Sequence, residues 1–359
     1  MPALLALADD LTGALEVGAK FAARGIPSLV HSWAYPGISK RPTRASAADQ
    51  GVRPTVVEVI DLESRHLPPE QSAAAVSALA ATACGIIYLK TDSTLRGNIA
   101  AQLQALSRAW PESGIAYVPA YPALGRTVKD GQLYVYGVLV HRTVFAADPL
   151  NPIADSSIRR LVSEVSRCTV CDGETDADVA RATAAALADP GCRIIAGPAS
   201  VAAEIAAWFA PSPLPAPPWP RVRKCLIVNG SLHEISARQI AFAEATGCAS
   251  PSANAAWRIL RLPAPAGMRP VELAAATGLM VRQCLAEADF DGVMVFGGDT
   301  AFGILKALGC PPLEPLGEAI TGVPVSRVVD RNLYLITKAG GFGDETLICA
   351  AMQLLHGND

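Results

Sequence analysis

Short apolar segments, several of them apolar throughout, recur along this chain, and a longer helix-forming stretch separates most of them from the next. In the first half they are ALLALAD (3–9), IPSLVHSW (26–33), TVVEVID (55–61), GIIYLKT (85–91), IAYVPA (115–120) and RIIAGP (193–198). In the second half CLIVNGS (225–231), RILRLP (258–263), GVMVFGG (292–298) and NLYLITKAGG (332–341) continue the series. Strands that are apolar on both faces need cover on both faces, and helical crossovers supply it. The alternation therefore predicts an α/β protein, its mainly parallel sheets flanked by helices. Leu11–Ala23, Pro69–Thr82, Asn98–Trp110 and Ala177–Ala188 read as helices of the first half. Ser236–Ala245, Val271–Ala288, Ala301–Leu308 and Asp344–Leu355 are those of the second.

At 359 residues the chain exceeds what one domain usually holds. The boundary is expected at APSPLPAPPWPRVR, which places six prolines between Pro211 and Pro220. Such a run continues neither a helix nor a central strand and favours a stiff, extended connector. The expected division is 1–210, a linker over 211–223, and 224–359. Each domain should carry ligand groups, with the active site in the cleft between them.

Charge narrows the partners. Thirty Lys and Arg against 33 Asp and Glu give a net charge of −3, which argues against nucleic acid or an anionic membrane. A small anion must then be held by a local cluster of donors. The N-terminus has no basic segment before its short apolar run, and no 18-residue apolar run exists, so neither a leader nor a membrane span is expected. Nine cysteines, an odd number, argue against a disulfide framework, and Cys168 and Cys171 have no second pair at zinc spacing. The five histidines form no ligand pattern. The expectation is a cytoplasmic protein with its thiols reduced, and a homodimer stays open.

Polar residues gather just after the strands, where open α/β sheets bind their ligands. In ADDLTGA (8–14), one of Asp9 and Asp10 suffices to cap the following helix. The other is then available to bind hydroxyls, take a proton or hold a metal. KTDSTLRGN (90–98) sets Lys90, Asp92, Ser93, Thr94, Arg96 and Asn98 within nine positions. Lys90 and Arg96 suit a small anion, the guanidinium gripping a carboxylate or phosphate with two bonds. The stretch 119–140, with Arg126 and Lys129, reads either as a loop that orders over a ligand or as a plain surface hairpin. In the second half, glycine-rich turns at 229–231, 297–303 and 338–344 would let backbone amides approach phosphates. The P-loop, dinucleotide and protein-kinase patterns are all missing.

Taken in order, ADDLTGA, KTDSTLRGN, PAYPALGR (119–126), DPLNP (148–152), NGS (229–231), GGDTA (297–301), GVP (322–324) and TKAGGFG (337–343) resemble the four-carbon acid sugar kinase family. The resemblance implies a sugar-binding N-terminal domain and a nucleotide-binding C-terminal domain. It also implies ATP- and Mg²⁺-dependent phosphorylation of a terminal hydroxyl of an acid such as threonate or erythronate. It places Asp9, Asp10, Lys90, Asp92, Ser93 and Arg96 around the acid sugar, with Asp10, Lys90 and Arg96 catalytic. Ser231, Gly297, Gly298, Asp299, Thr300, Gly340 and Gly341 would surround ATP. The family often has a second small hydroxyl residue soon after the position of Ser231, where this chain has Leu232 and His233. Other readings are a kinase of an oxo or branched acid, a nicotinamide-dependent oxidoreductase, and a two-lobed sensor without turnover.

Overall fold

The computed structural model describes residues 4–32, 57–83, 85–148, 150–212, 218–262 and 268–356. Ala3, Trp33, Thr55, Val56, Pro149, Pro263 and part of the proline-rich segment, all within stretches named above, lie outside them, as does one of the nine cysteines, Cys84. The chain divides into two compact units. One is residues 1–28 with 32–214, and the other is 29–31 with 215–359.

In chain order the strands of the first half are β1 Leu4–Ala8, β2 Ser28–Ser32, β3 Val57–Asp61, β4 Ile86–Lys90 and β5 Gly114–Tyr117. They continue as β6 Arg126–Lys129, β7 Gln132–Val135, β8 Val138–Leu139, β9 Cys168–Val170 and β10 Cys192–Gly197. The helices are α1 Leu11–Ala22, α2 Pro69–Ala80, α3 Ile99–Ala109, α4 Ile158–Leu161, α5 Asp176–Ala188 and α6 Ala199–Phe209. Within the first unit β3-β1-β4-β10-β5-β9 lie side by side, every pair parallel. β1 and β4 bury Leu4, Leu7, Ile87, Tyr88 and Leu89 completely, as expected of strands covered on both faces. The stretch 119–140 forms a 3₁₀ turn and then the antiparallel ribbon β6-β7-β8, the hairpin alternative.

The second unit carries β11 Cys225–Asn229, β12 Trp257–Leu260, β13 Gly292–Phe296, β14 Leu313–Ile320, β15 Val323–Val328 and β16 Tyr334–Lys338. Its helices are α7 Glu234–Ala245, α8 Pro270–Glu287, α9 Gly298–Ala307 and α10 Leu347–His356. β12-β11-β13-β16 are parallel, whereas β16-β15-β14 run antiparallel. The hairpin β14-β15 and helix α6 were not expected from the sequence. Val30, which clusters with this unit, pairs with Leu313 of β14.

Trp257, Ile227, Met294, Phe296, Ile336 and Ile348 centre the core of the second unit. Helices α8 and α9 cross at two glycines. A Cβ on Gly278 would lie 2.2 Å from the carbonyl oxygen of Gly303, and one on Gly303 would lie 2.3 Å from that of Ala274. Among the described cysteines Cys168 and Cys171 are half-buried free thiols, whereas Cys248 and Cys349 are joined in a disulfide. That single bond corrects the expectation of reduced thiols throughout. It links the turn after α7 to α10, 101 residues apart in sequence but 5.5 Å apart at Cα.

Candidate functional site

Parallel register sets where the polar residues of the first unit converge. Ala8 is level with Asp61 of β3 and with Lys90 of β4, and Lys90 is level with Gly197 of β10. Whatever follows these strands therefore leaves the sheet at one edge. Asp10 caps α1, accepting the Gly13 amide at 2.8 Å and the Thr12 hydroxyl at 2.7 Å. Asp9 is almost fully buried.

A residue missed in the sequence joins them. Arg65, four positions beyond β3, donates Nε and Nη2 to the two carboxylate oxygens of Asp9, each at 2.8 Å. Its Nη1 reaches Asp10 at 2.7 Å, and Nη2 lies 3.8 Å from Asp92. The loop that carries it is fastened from both sides. The amides of Ser64 and Arg65 donate to the Asp9 carbonyl, and Asn98 Nδ2 donates to the carbonyls of Ser64 and Leu67. Gly97, at φ +87°, gives the 92–98 turn room here, since a Cβ would meet Asp9 Oδ2 at 2.9 Å.

Lys90 and Arg96 do not share partners. The buried Lys90 ammonium packs where Gly13 has no side chain, 2.9 Å from the position of a Cβ that Asp10 would also crowd. Arg96 instead donates Nη2 to Asp92 at 2.8 Å and Nη1 to Asp148 at 3.4 Å, its guanidinium 5.4 Å from the Phe145 ring centre. Asp92 also accepts the Thr94 amide at 2.8 Å, which closes the turn. Ser93 sits half-buried in that turn.

These contacts set the protonation states. Burial pushes the Asp9 carboxyl above its usual range, against the pull of Arg65. Burial acts on Asp10 too, but Arg65 and Lys90 outweigh it and hold that carboxyl below its usual range. Asp92 is buried as well, and Arg96 with Arg65 holds it far below that range. Beneath them, burial raises Asp61 well above the carboxylate range, with the Asp10 and Asp9 charges adding to the effect.

The same logic assembles the second cluster. Asn229, Phe296 and Lys338 are level at the ends of β11, β13 and β16, so the three glycine turns start side by side. The Gly230 amide donates to the Phe296 carbonyl, and the Gly297 amide to that of Lys338, both at 3.0 Å. Gly297, at φ +103°, opens α9, and no side chain caps that helix. Gly298, Asp299 and Thr300 form its first turn, with Thr300 buried and Asp299 exposed. Amides at such an end suit an anion. Ser231 stands against Gly340, whose Cβ would fall 2.2 Å from the serine oxygen, and His233 stands against Gly341. A residue with a side chain at 340 would displace Ser231.

A sugar-binding N-terminal domain family matches residues 4–167, and a nucleotide-binding C-terminal domain family matches 267–348. A D-threonate kinase of Bordetella bronchiseptica is 30% identical, over 98% of this chain and 96% of that protein. This chain belongs to the four-carbon acid sugar kinase family. Within the family, a D-threonate kinase of Salmonella typhimurium is 26% identical over 98% of both chains. A 3-oxo-tetronate kinase of Escherichia coli is 33% identical over 52% of this chain and 48% of its own.

A solved structure from Salmonella typhimurium, described as a tRNA synthase, shares the family's fold at TM-score 0.78. It is 21% identical and covers 98% of each chain. A Bordetella bronchiseptica structure with bound citrate, a domain-swapped dimer, aligns at TM-score 0.51 with 28% identity. It covers 99% of this chain and 98% of its own. No described helix is long and apolar enough to cross a membrane.

Proposed function

We propose that this chain is an ATP-dependent kinase that phosphorylates a hydroxyl of a four-carbon acid sugar such as threonate, erythronate or a 3-oxo-tetronate. The observation that carries the reading is the pairing of two strand-end clusters in one chain. One is built of buried carboxylates and cations, the other of glycine turns around an uncapped helix. Whole-length similarity to a D-threonate kinase supports it.

In this reading Arg96 receives the substrate carboxylate, exchanging its 3.4 Å contact with Asp148 for a paired bond. Lys90 adds positive charge beside Asp10. Asp10, kept ionised by Arg65 and Lys90, accepts a hydrogen bond from the attacking hydroxyl and orients it. Phosphoryl transfer passes through a loose transition state, so positioning and charge matter more than a strong base. Asp9 holds Arg65 in place, and Ser93 and Asp92 complete the turn.

The amides of Gly298, Asp299 and Thr300, with Ser231 and the turn at Gly340 and Gly341, hold the phosphates of ATP. Mg²⁺ commonly takes one or two carboxylates together with substrate phosphates. Asp299, exposed in the first turn of α9 beside the amides assigned to the phosphates, is the carboxylate assigned to that ion. The ion, when bound, neutralises charge on the phosphates. The protein acts in the cytoplasm on this reading. Incubation with ATP, Mg²⁺ and single tetronic acids, followed by mass spectrometry, tests the proposal. A monophosphorylated acid is expected, and an unaltered panel overturns it.

A further inference from the structure

We propose that Lys338 is the positioning residue of the nucleotide turn, holding residues 339–343 from the protein side without touching phosphate itself. The proposal rests on the reading of that turn as part of the ATP site. Lys338 ends β16 and is completely buried, an unusual place for an ammonium. Its Nζ donates to the carbonyls of Gly340 at 2.8 Å and Phe342 at 3.0 Å, and to the Ser236 hydroxyl at 3.3 Å. An ammonium has three protons, so these partners exhaust it and leave none for a ligand. Ser236 in turn donates to the Gly340 carbonyl at 2.6 Å, closing a small ring of bonds under the turn.

The backbone makes this arrangement useful. In a trans peptide the carbonyl and the next amide point in opposite directions. Drawing the Gly340 and Phe342 carbonyls toward Lys338 turns the amides of Gly341 and Gly343 away from it, the sense an oxyanion needs. The Phe296 ring lies 4.6 Å from the ammonium, so a hydroxyl, two carbonyls and an aromatic face surround it. Burial accordingly lowers its pKa to about 8, within reach of assay.

Direct ATP–Mg²⁺ titration between pH 7 and 9.5 tests this, using the wild type, Lys338→Met and Ser236→Ala. Lys338→Met should weaken ATP about 10-fold or more, and Ser236→Ala about 3-fold. For Lys338→Met, kcat at saturating ATP and the thermal shift given by the acid sugar should hold. Wild-type affinity should fall above about pH 8, while that of Lys338→Met stays flat. A folded Lys338→Met with unchanged ATP affinity overturns the proposal, as does a flat wild-type profile or a loss confined to kcat. Should Lys338→Met fail to fold, Ser236→Ala and the wild-type profile decide. Failure of the kinase reading looks different, with ATP bound as predicted and no acid phosphorylated. A wild type that binds no ATP overturns both.

Discussion

Arg65 and Asp9 form a two-bond ion pair, 2.8 Å at each contact, between residues 56 positions apart. The pair is nearly buried, and Arg65 is also the partner of Asp10. Removing the guanidinium leaves two carboxylates in a dry site.

Arg65→Ala should therefore destabilise the first unit by about 3–5 kcal/mol at neutral pH, the usual effect of breaking a buried pair from one side. The deficit should shrink as pH falls toward 4, because the orphaned carboxylates can then take protons. Urea unfolding at pH 7 and pH 4.5 measures it. An unchanged midpoint would mean the pair contributes nothing to folding.

Asp61 gives a second pH effect. It is fully buried, and its Oδ2 finds no hydrogen bond. Its folded pKa is raised well above 3.8, so between those values the native state keeps a proton that the unfolded chain releases. Stability from this group is present below about pH 4 and is lost as pH rises toward the folded value. Asp61→Asn should remove that loss and so narrow the stability difference between pH 5 and pH 8. Identical pH dependence in the two proteins would contradict it.

Arg96→Ala should weaken acid-sugar capture about 10- to 100-fold, the worth of a charge-assisted contact, and leave ATP affinity unchanged. Arg96→Lys should fall between, since it keeps charge and loses the fork. The KM for each substrate reads this directly. A change in ATP affinity alone would exchange the roles assigned to the two clusters.

Gly340→Val should displace Ser231, because a Cβ there would sit 2.2 Å from its hydroxyl oxygen. ATP binding should fall about 10-fold or more while the acid-sugar thermal shift persists. Gly341→Val is milder, since the atoms nearest a Cβ there belong to the movable His233 ring, at 2.9 Å. Equal ATP affinity in the Gly340 variant would place the phosphates elsewhere.

Much of this was legible because it is local. All ten apolar segments became strands, and the polar clusters after β1, β4, β11, β13 and β16 were read from adjacency alone. What register added is convergence, since Asn229, Phe296 and Lys338 are level only once three strands pair. Arg65 escaped notice because it stands in a loop without glycines or repeated charge, and its hydrogen-bond partners Asp9 and Asp10 are more than 50 residues away. Its position just after TVVEVID was the available signal. The hairpin β14-β15 was hidden by Pro315, Gly317 and Pro324, which depress strand formation locally. Pairing of Val325 with Ile336 overrides that preference. Arg96 was expected beside Lys90, yet backbone turns send one to Asp92 and the other to Gly13, a difference no spacing rule reveals.

The most direct test of the central claim is ADP release measured against acid-sugar concentration, with ATP and Mg²⁺ saturating. The account predicts negligible ADP from ATP alone. On adding a four-carbon acid sugar it predicts saturable turnover, with one phosphorylated acid formed per ADP. ADP release indifferent to every acid, or none with a panel of four- to six-carbon acids, would contradict it.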